Sequence, residues 1–195
     1  MYRFIYNKVE YQKEKATTYI LTEKEKDLLQ NGDIILRRGH GMVSDYIVNS
    51  FNEKYKISHS GIIIKDKNII NVIHSESSSL LVTEGIQKQS INDFTDAGHK
   101  NSVIVVRYNK CKPKDYKRIV NRANYYLNKN IPFSYILKPE DTTKMFCSEV
   151  IWHIFLDEFN DNIFLTKDKK TDFYQFKNFW NTTKFDIIIN NQENK

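Results

Sequence analysis

The chain has 195 residues, of which 40% are hydrophobic, 28% charged and 13% aromatic; this is the make-up of one globular domain and is too aromatic for a disordered chain. Six glycines and three prolines exclude collagen-like or linker-like sequence, and two cysteines exclude a disulfide framework. The net charge of +6 is spread without a run of five like charges, so it reads as a solvated surface and not as a nucleic-acid footprint, which needs clustering and a motif.

Tyr2, Phe4 and Tyr6 alternate like a short strand. The segment from Met1 to Lys15 is otherwise polar and charged, without the apolar core of an export signal, and no stretch reaches the length of a membrane span. The expectation is a cytoplasmic protein with reduced thiols. Thr22 followed by Glu25 reads as a capping box opening a short helix with Leu28 and Leu29 on its apolar side, ended by Gly32. Asp33 to Arg37 is a strand. Ser44 to Lys54 reads as a helix capped by Ser44 or Asp45. Ser58 to Lys65 and Asn68 to Ser75 are strands joined through Asp66-Lys67 as a hairpin, and Leu80 to Thr83 is a further short strand. Ser102 to Tyr108 is a β-branched run. Pro113 opens a helix whose apolar face carries Tyr116, Ile119, Val120, Ala123, Tyr126 and Leu127. Met145 to Phe159 is a second long helix; a helix near Phe173 to Trp180 and a strand over Phe185 to Ile189 close the chain. Strands in the middle flanked by helices predict an α+β domain with a mainly antiparallel sheet.

Cys147 opens the second long helix, in MFCSEV. A helix N-terminus stabilises a thiolate, and its unbonded N–H groups can face an oxyanion. The same position suits an inert cysteine at the start of a core helix. His59 lies in SHSGIII, with small neighbours and an imidazole whose ordinary pKa suits a general base, though a structural histidine fits there too. Gly61, inside that strand, marks a bulge or a close backbone approach. His74 and Glu76, in VIHSES, are two apart in a strand and so face one side, as either an orienting group or a solvated strand end. His40, His99 and His153 read as structural, Cys111 as incidental, Asp33 and Asp45 as turn or cap residues. Arg37 and Arg38 could bind an anion, but read rather as the surface end of a strand.

Together GDIIL at 32–36, SHSGIII at 58–64, the NVIHSES and VIVVRY strands, and FCSEV at 146–150 resemble the YiiX/YebB-like group of permuted papain-fold cysteine hydrolases, in the NlpC-like superfamily. The histidine preceding the cysteine in sequence is the permuted order. The resemblance covers about 32–155 and implies a single catalytic domain over 1–195, with both ends packed on a permuted papain-like core whose nucleophile starts a packed helix. It implies Cys147 as nucleophile, His59 as general base and a third polar residue on the following strand. His74 stands at that position, and Glu76 is the alternative. Tyr135, in PFSYIL, is expected to line the pocket. The implied reaction cleaves an amide (peptide, isopeptide or acyl-amide) through a thioester, acting on a small peptide, acyl-amide or lipid-like substrate, with no cofactor and no resident metal. Two other classes stay open: an acyltransferase using the same pair, and a non-catalytic metal- or ligand-binding protein using His59, His74 and Cys147, although no close-spaced ligand pair is present.

Overall fold

The computed structural model describes residues 19–77, 84–136, 141–164 and 175–193. The strands expected around Tyr2–Tyr6 and Leu80–Thr83 lie outside them. In chain order the elements are α1 (Glu23–Leu28), β1 (Ile34–Arg37), α2 (Met42–Phe51), β2 (His59–Asp66), β3 (Ile69–Glu76), β4 (Gly85–Ser90), α3 (Ile91–Asp96), β5 (Ile104–Tyr108), α4 (Pro113–Asn128), α5 (Cys147–Phe159), a 3-10 turn (Phe176–Trp180) and β6 (Phe185–Asn190). One six-stranded sheet runs in the order β4-β3-β2-β1-β5-β6, every neighbouring pair antiparallel. The fold is α+β.

Alternation along the strands divides the core in two. One face carries Ile34, Leu36, Ile62, Ile73, Ile104 and Val106, and α4, α5 and the 3-10 turn cover it with Ile119, Ala123, Val150, Ile151, Ile154, Phe155 and Phe179. The other carries Ile35, Ile63, Val72 and Val105 and packs on Leu21, Leu29 and Phe94. Burial on both faces explains why DIILR and VIVV are continuous apolar runs.

The capping box at α1 forms: Glu25 N–H donates to Thr22 Oγ1 at 3.3 Å, and Thr22 N–H donates to the Glu25 carboxylate at 2.8 Å. The β2–β3 turn is Lys67-Asn68, one residue later than Asp66-Lys67, with Lys67 at φ 52°. Helix α2 starts at Met42, ahead of Ser44, with Gly41 at the cap. Beyond these shifts, a 3-10 turn forms over Phe176–Trp180 in place of a helix there, the start of the helix expected near Phe173 to Trp180 lying outside the described residues, and β4 with α3 follows where the sequence showed no element. Asp33 closes the turn before β1, its carboxylate accepting the Gln30 N–H at 2.8 Å, as its turn or cap reading expects, and it is also fully buried and ion-paired to Arg107 at 2.7 Å. Among the described residues no helix is long and apolar enough to cross a membrane.

Candidate active site

Strands β1, β2 and β3 present adjacent strand ends at one end of the sheet. Arg37, the last residue of β1, pairs with His59, the first of β2, and Glu76 is the last of β3. A cavity of about 260 Å³ sits at these ends, lined by Arg37, His59, Glu76 and Cys147, with His40 and Tyr135 among its other walls.

The parity of β2 sends neighbouring side chains to opposite faces. His59 lies on the Phe94 side, its ring 5.6 Å from that phenyl, whereas Ser60 lies on the α5 side and meets the Cys147 thiol. Thiol and imidazole thus reach the cavity from opposite faces, around the strand ends. A side chain on Gly61 would put Cβ 2.4 Å from Val72 Cγ1 and 3.2 Å from His74 Cβ. This glycine lets β3 lie close enough for the two histidines to meet.

His59 Nε2 and His74 Nδ1 are 2.9 Å apart, with the rings edge to face. Glu76 turns to other partners. Its Oε1 accepts from Arg37 at 3.2 Å, and its Oε2 is 3.7 Å from His74 Nδ1. Arg37 is 1% exposed, donates to the Ala97 carbonyl and stands over the Phe94 ring at 4.7 Å. The reading of Arg37 as a surface strand end is therefore corrected: its chain end is sealed by α3, which the sequence did not reveal. Arg38 is partly buried and pairs with Asp45 at 2.8 Å.

Burial holds His59 well below the usual imidazole pKa, with the Arg37 charge and His74 adding to the effect. Burial and Arg37 push His74 down to about 3. Both rings are neutral at pH 7. Burial raises the Cys147 thiol, while contacts to Ser60 and the Ser148 backbone pull it down. Cys147 begins α5, whose cap is made by Glu149: its carboxylate accepts the Phe146 N–H at 3.0 Å. That leaves the first-turn N–H groups of α5 beside the thiol without helical acceptors.

Of the other residues singled out, Tyr135 is 57% exposed at the cavity mouth and packs on Phe133 at 5.0 Å. His40 is buried, lines the cavity and stacks on His99 at 4.5 Å, so its reading as merely structural was too narrow. His153 sits among Tyr126 and Trp152 on α5. Cys111 is a half-buried free thiol raised to about 11. Ser60 and Phe94 escaped the sequence reading, and Arg37 was placed by it at the surface. Arg37 and Ser60 had a signal, their register beside His59; Phe94 had none.

Residues 28–182 match the family described as permuted papain-like amidase enzyme, YaeF/YiiX, C92 family. The chain belongs to this family. A crystal structure described as metalloprotein yiiX from Escherichia coli O157:H7 shares the fold with a TM-score of 0.57 at 20% identity, covering 69% of this chain and 68% of that one. No curated protein matches the sequence. Family and fold together make the protein an enzyme of the permuted papain-like type, with a six-stranded antiparallel sheet and a helix packed against it.

Proposed function

We propose that this member of the permuted papain-like amidases cleaves an amide bond through a thioester on Cys147, with His59 as general base and His74 as the group that orients it. The observation that carries the reading is the 2.9 Å contact holding His59 by Nε2, together with the cavity that His59 and Cys147 both line. His59 takes the thiol proton as sulfur attacks the carbonyl. The Cys147 N–H and the α5 dipole stabilise the oxyanion, and His59 returns the proton to the leaving amine. Water then adds to the thioester, giving a carboxylic acid and the free thiol. Transfer to a second amine in place of water is the acyltransferase variant.

The test is an acyl-donor probe, a p-nitrophenyl ester, followed by intact mass spectrometry. The wild type is expected to carry one acyl group on Cys147. Cys147→Ala carries none, and His59→Ala acylates on the order of 100-fold more slowly, the contribution of a positioned base. Equal acylation with and without His59 overturns the pair.

A second reading rests on the same residues. His59, His74 and Glu76 bring one ligand atom each within 4.8 Å of one another, and Cys147 is not part of this cluster. The similar E. coli structure is described as a metalloprotein. Neutral imidazoles are the form that binds a divalent cation, which here would polarise a carbonyl or a water. Against it stands Arg37, already holding Glu76 and setting positive charge beside both rings. Metal analysis of purified protein is expected to give well under one ion per chain. A full equivalent that disappears in His74→Ala would favour the metal reading.

A further inference from the structure

A neutral imidazole carries one proton, on Nδ1 or on Nε2. His59 Nε2 and His74 Nδ1 share the proton of their 2.9 Å contact, and which ring donates it decides what His59 can do. If His74 donates, His59 Nε2 accepts, the His59 proton sits on Nδ1, and the ring has no lone pair left for a thiol proton. If His59 donates, its Nδ1 is a free base, and His74 must carry its own proton on Nε2. The second arrangement needs an acceptor at His74 Nε2. Glu76 works against it, because its Oε2 lies 3.7 Å from His74 Nδ1 and favours a proton there.

Strand β4 supplies the acceptor. Gln89 stands opposite Val72 in the β3–β4 ladder, two residues along from His74, and so on the same face of the sheet. His74 Nε2 and Gln89 Oε1 are both enclosed, and neither has a hydrogen-bond partner among the described residues. The amide acts on His74 as an acceptor would, favouring its protonated form. Leaving an enclosed N–H and an enclosed carbonyl unpaired side by side is costly, and a small rotation of the amide joins them. The other groups around His74 are Gln87 (its direct partner in the ladder), His59, Glu76, Arg37 and the Phe94 ring; none of them is hydrogen-bonded to Nε2.

We propose that Gln89 is a positioning residue: its Oε1 accepts the Nε2 proton of His74 and thereby locks both histidines in the tautomers that leave His59 Nδ1 free as the base. The consequence for turnover rests on the amidase reading, whereas the proton placement does not.

The experiment is long-range ¹H–¹⁵N NMR of histidine-labelled protein, recorded in a Cys147→Ala background, together with acylation rates in the Cys147-containing protein. The expected spectrum shows protonated Nε2 and unprotonated Nδ1 on both His59 and His74. In Gln89→Leu both protons move to Nδ1, and the acylation rate constant falls on the order of tenfold with KM little changed. Gln89→Glu keeps an acceptor, the original tautomers and most of the rate. A purely structural role for Gln89 would leave the tautomers where they are. Protonated Nδ1 on His74 in the Gln89-containing protein overturns the proposal whether or not Gln89→Leu folds, and so does an unchanged spectrum in Gln89→Leu. The expected spectra combined with acylation indifferent to His59 would sink the amidase reading and leave this assignment standing.

Discussion

Burial decides the resting state of the Cys147 thiol. Its pKa is raised, and that of His59 is depressed, so near pH 7 both groups are neutral and no thiolate–imidazolium pair waits in the free enzyme. On the proposed mechanism the thiolate forms as substrate enters, with the proton passing to His59 while the oxyanion draws on α5. Alkylation by a small neutral reagent such as iodoacetamide is therefore expected to accelerate about tenfold per pH unit from pH 6 to pH 8, following the thiolate fraction below its pKa. A rate plateau between pH 5 and 7 would reveal a preformed ion pair and contradict the assigned states. At this scale the placement of Cys147 at a helix start and of His59, His74 and Glu76 on one face of neighbouring strands was legible, because strand parity and a helix start suffice to aim those side chains. Arg37 and Gln89 were not. Parity tells which face a side chain takes but not whether that face is covered, and the cover over Arg37 comes from Phe94, 57 positions away on a helix of six residues.

Element by element, the sequence spelled out those parts of the fold that bury apolar runs. The two long helices and the strands β1, β2, β3 and β5 are such parts, and β6, with Phe185 and Ile189 buried, still showed through its run of β-branched residues. Strand β4 (GIQKQS) sits at the sheet edge with only two buried residues at its start, and α3 is a single short helix capped by Ser90, whose hydroxyl accepts the Asp93 N–H at 3.1 Å. Neither has enough hydrophobic periodicity to stand out. Gly61 did stand out, and its role is steric. Because an added methyl would meet Val72 at 2.4 Å and the Ile73 carbonyl at 3.1 Å, Gly61→Ala must push β3 away from β2. Overpacking of this kind costs about 1–3 kcal/mol, which for a chain of this size lowers Tm by roughly 5 °C. The same displacement lengthens the His59–His74 contact, so Cys147 acylation is expected to slow more than the loss of stability alone would explain. Scanning calorimetry and the acylation assay on Gly61→Ala check both; an unchanged Tm would show that β2 and β3 are not pressed together at this point.

Over the whole molecule, the permuted papain-like architecture was legible from the order of motifs, and the long-range ties were not. One such tie joins the loop after α2 to the 3-10 turn, where the half-buried Glu53 carboxylate accepts the Phe176 N–H at 3.1 Å across 123 positions of sequence. Phe176 also lines the candidate active-site cavity, so this tie helps hold one of its walls. Burial outweighs the two backbone N–H bonds and the Lys177 charge, raising the Glu53 pKa to about 7 from an ordinary value of 4.5. A raised carboxyl pKa means that the folded protein binds the proton more tightly than the unfolded chain. The contribution to stability is fully present below pH 4.5 and is lost as pH rises through 7. The amide introduced by Glu53→Gln stays neutral throughout and can still accept the Phe176 N–H through its carbonyl. The variant should therefore match the wild type at pH 4.5 and exceed it at pH 8, by about 1 kcal/mol once solvent screening of a half-buried group is allowed for. Urea unfolding at the two pH values measures the difference. A Glu53→Gln variant less stable than the wild type at pH 8 would mean that the charged carboxylate, and not burial, governs this tie.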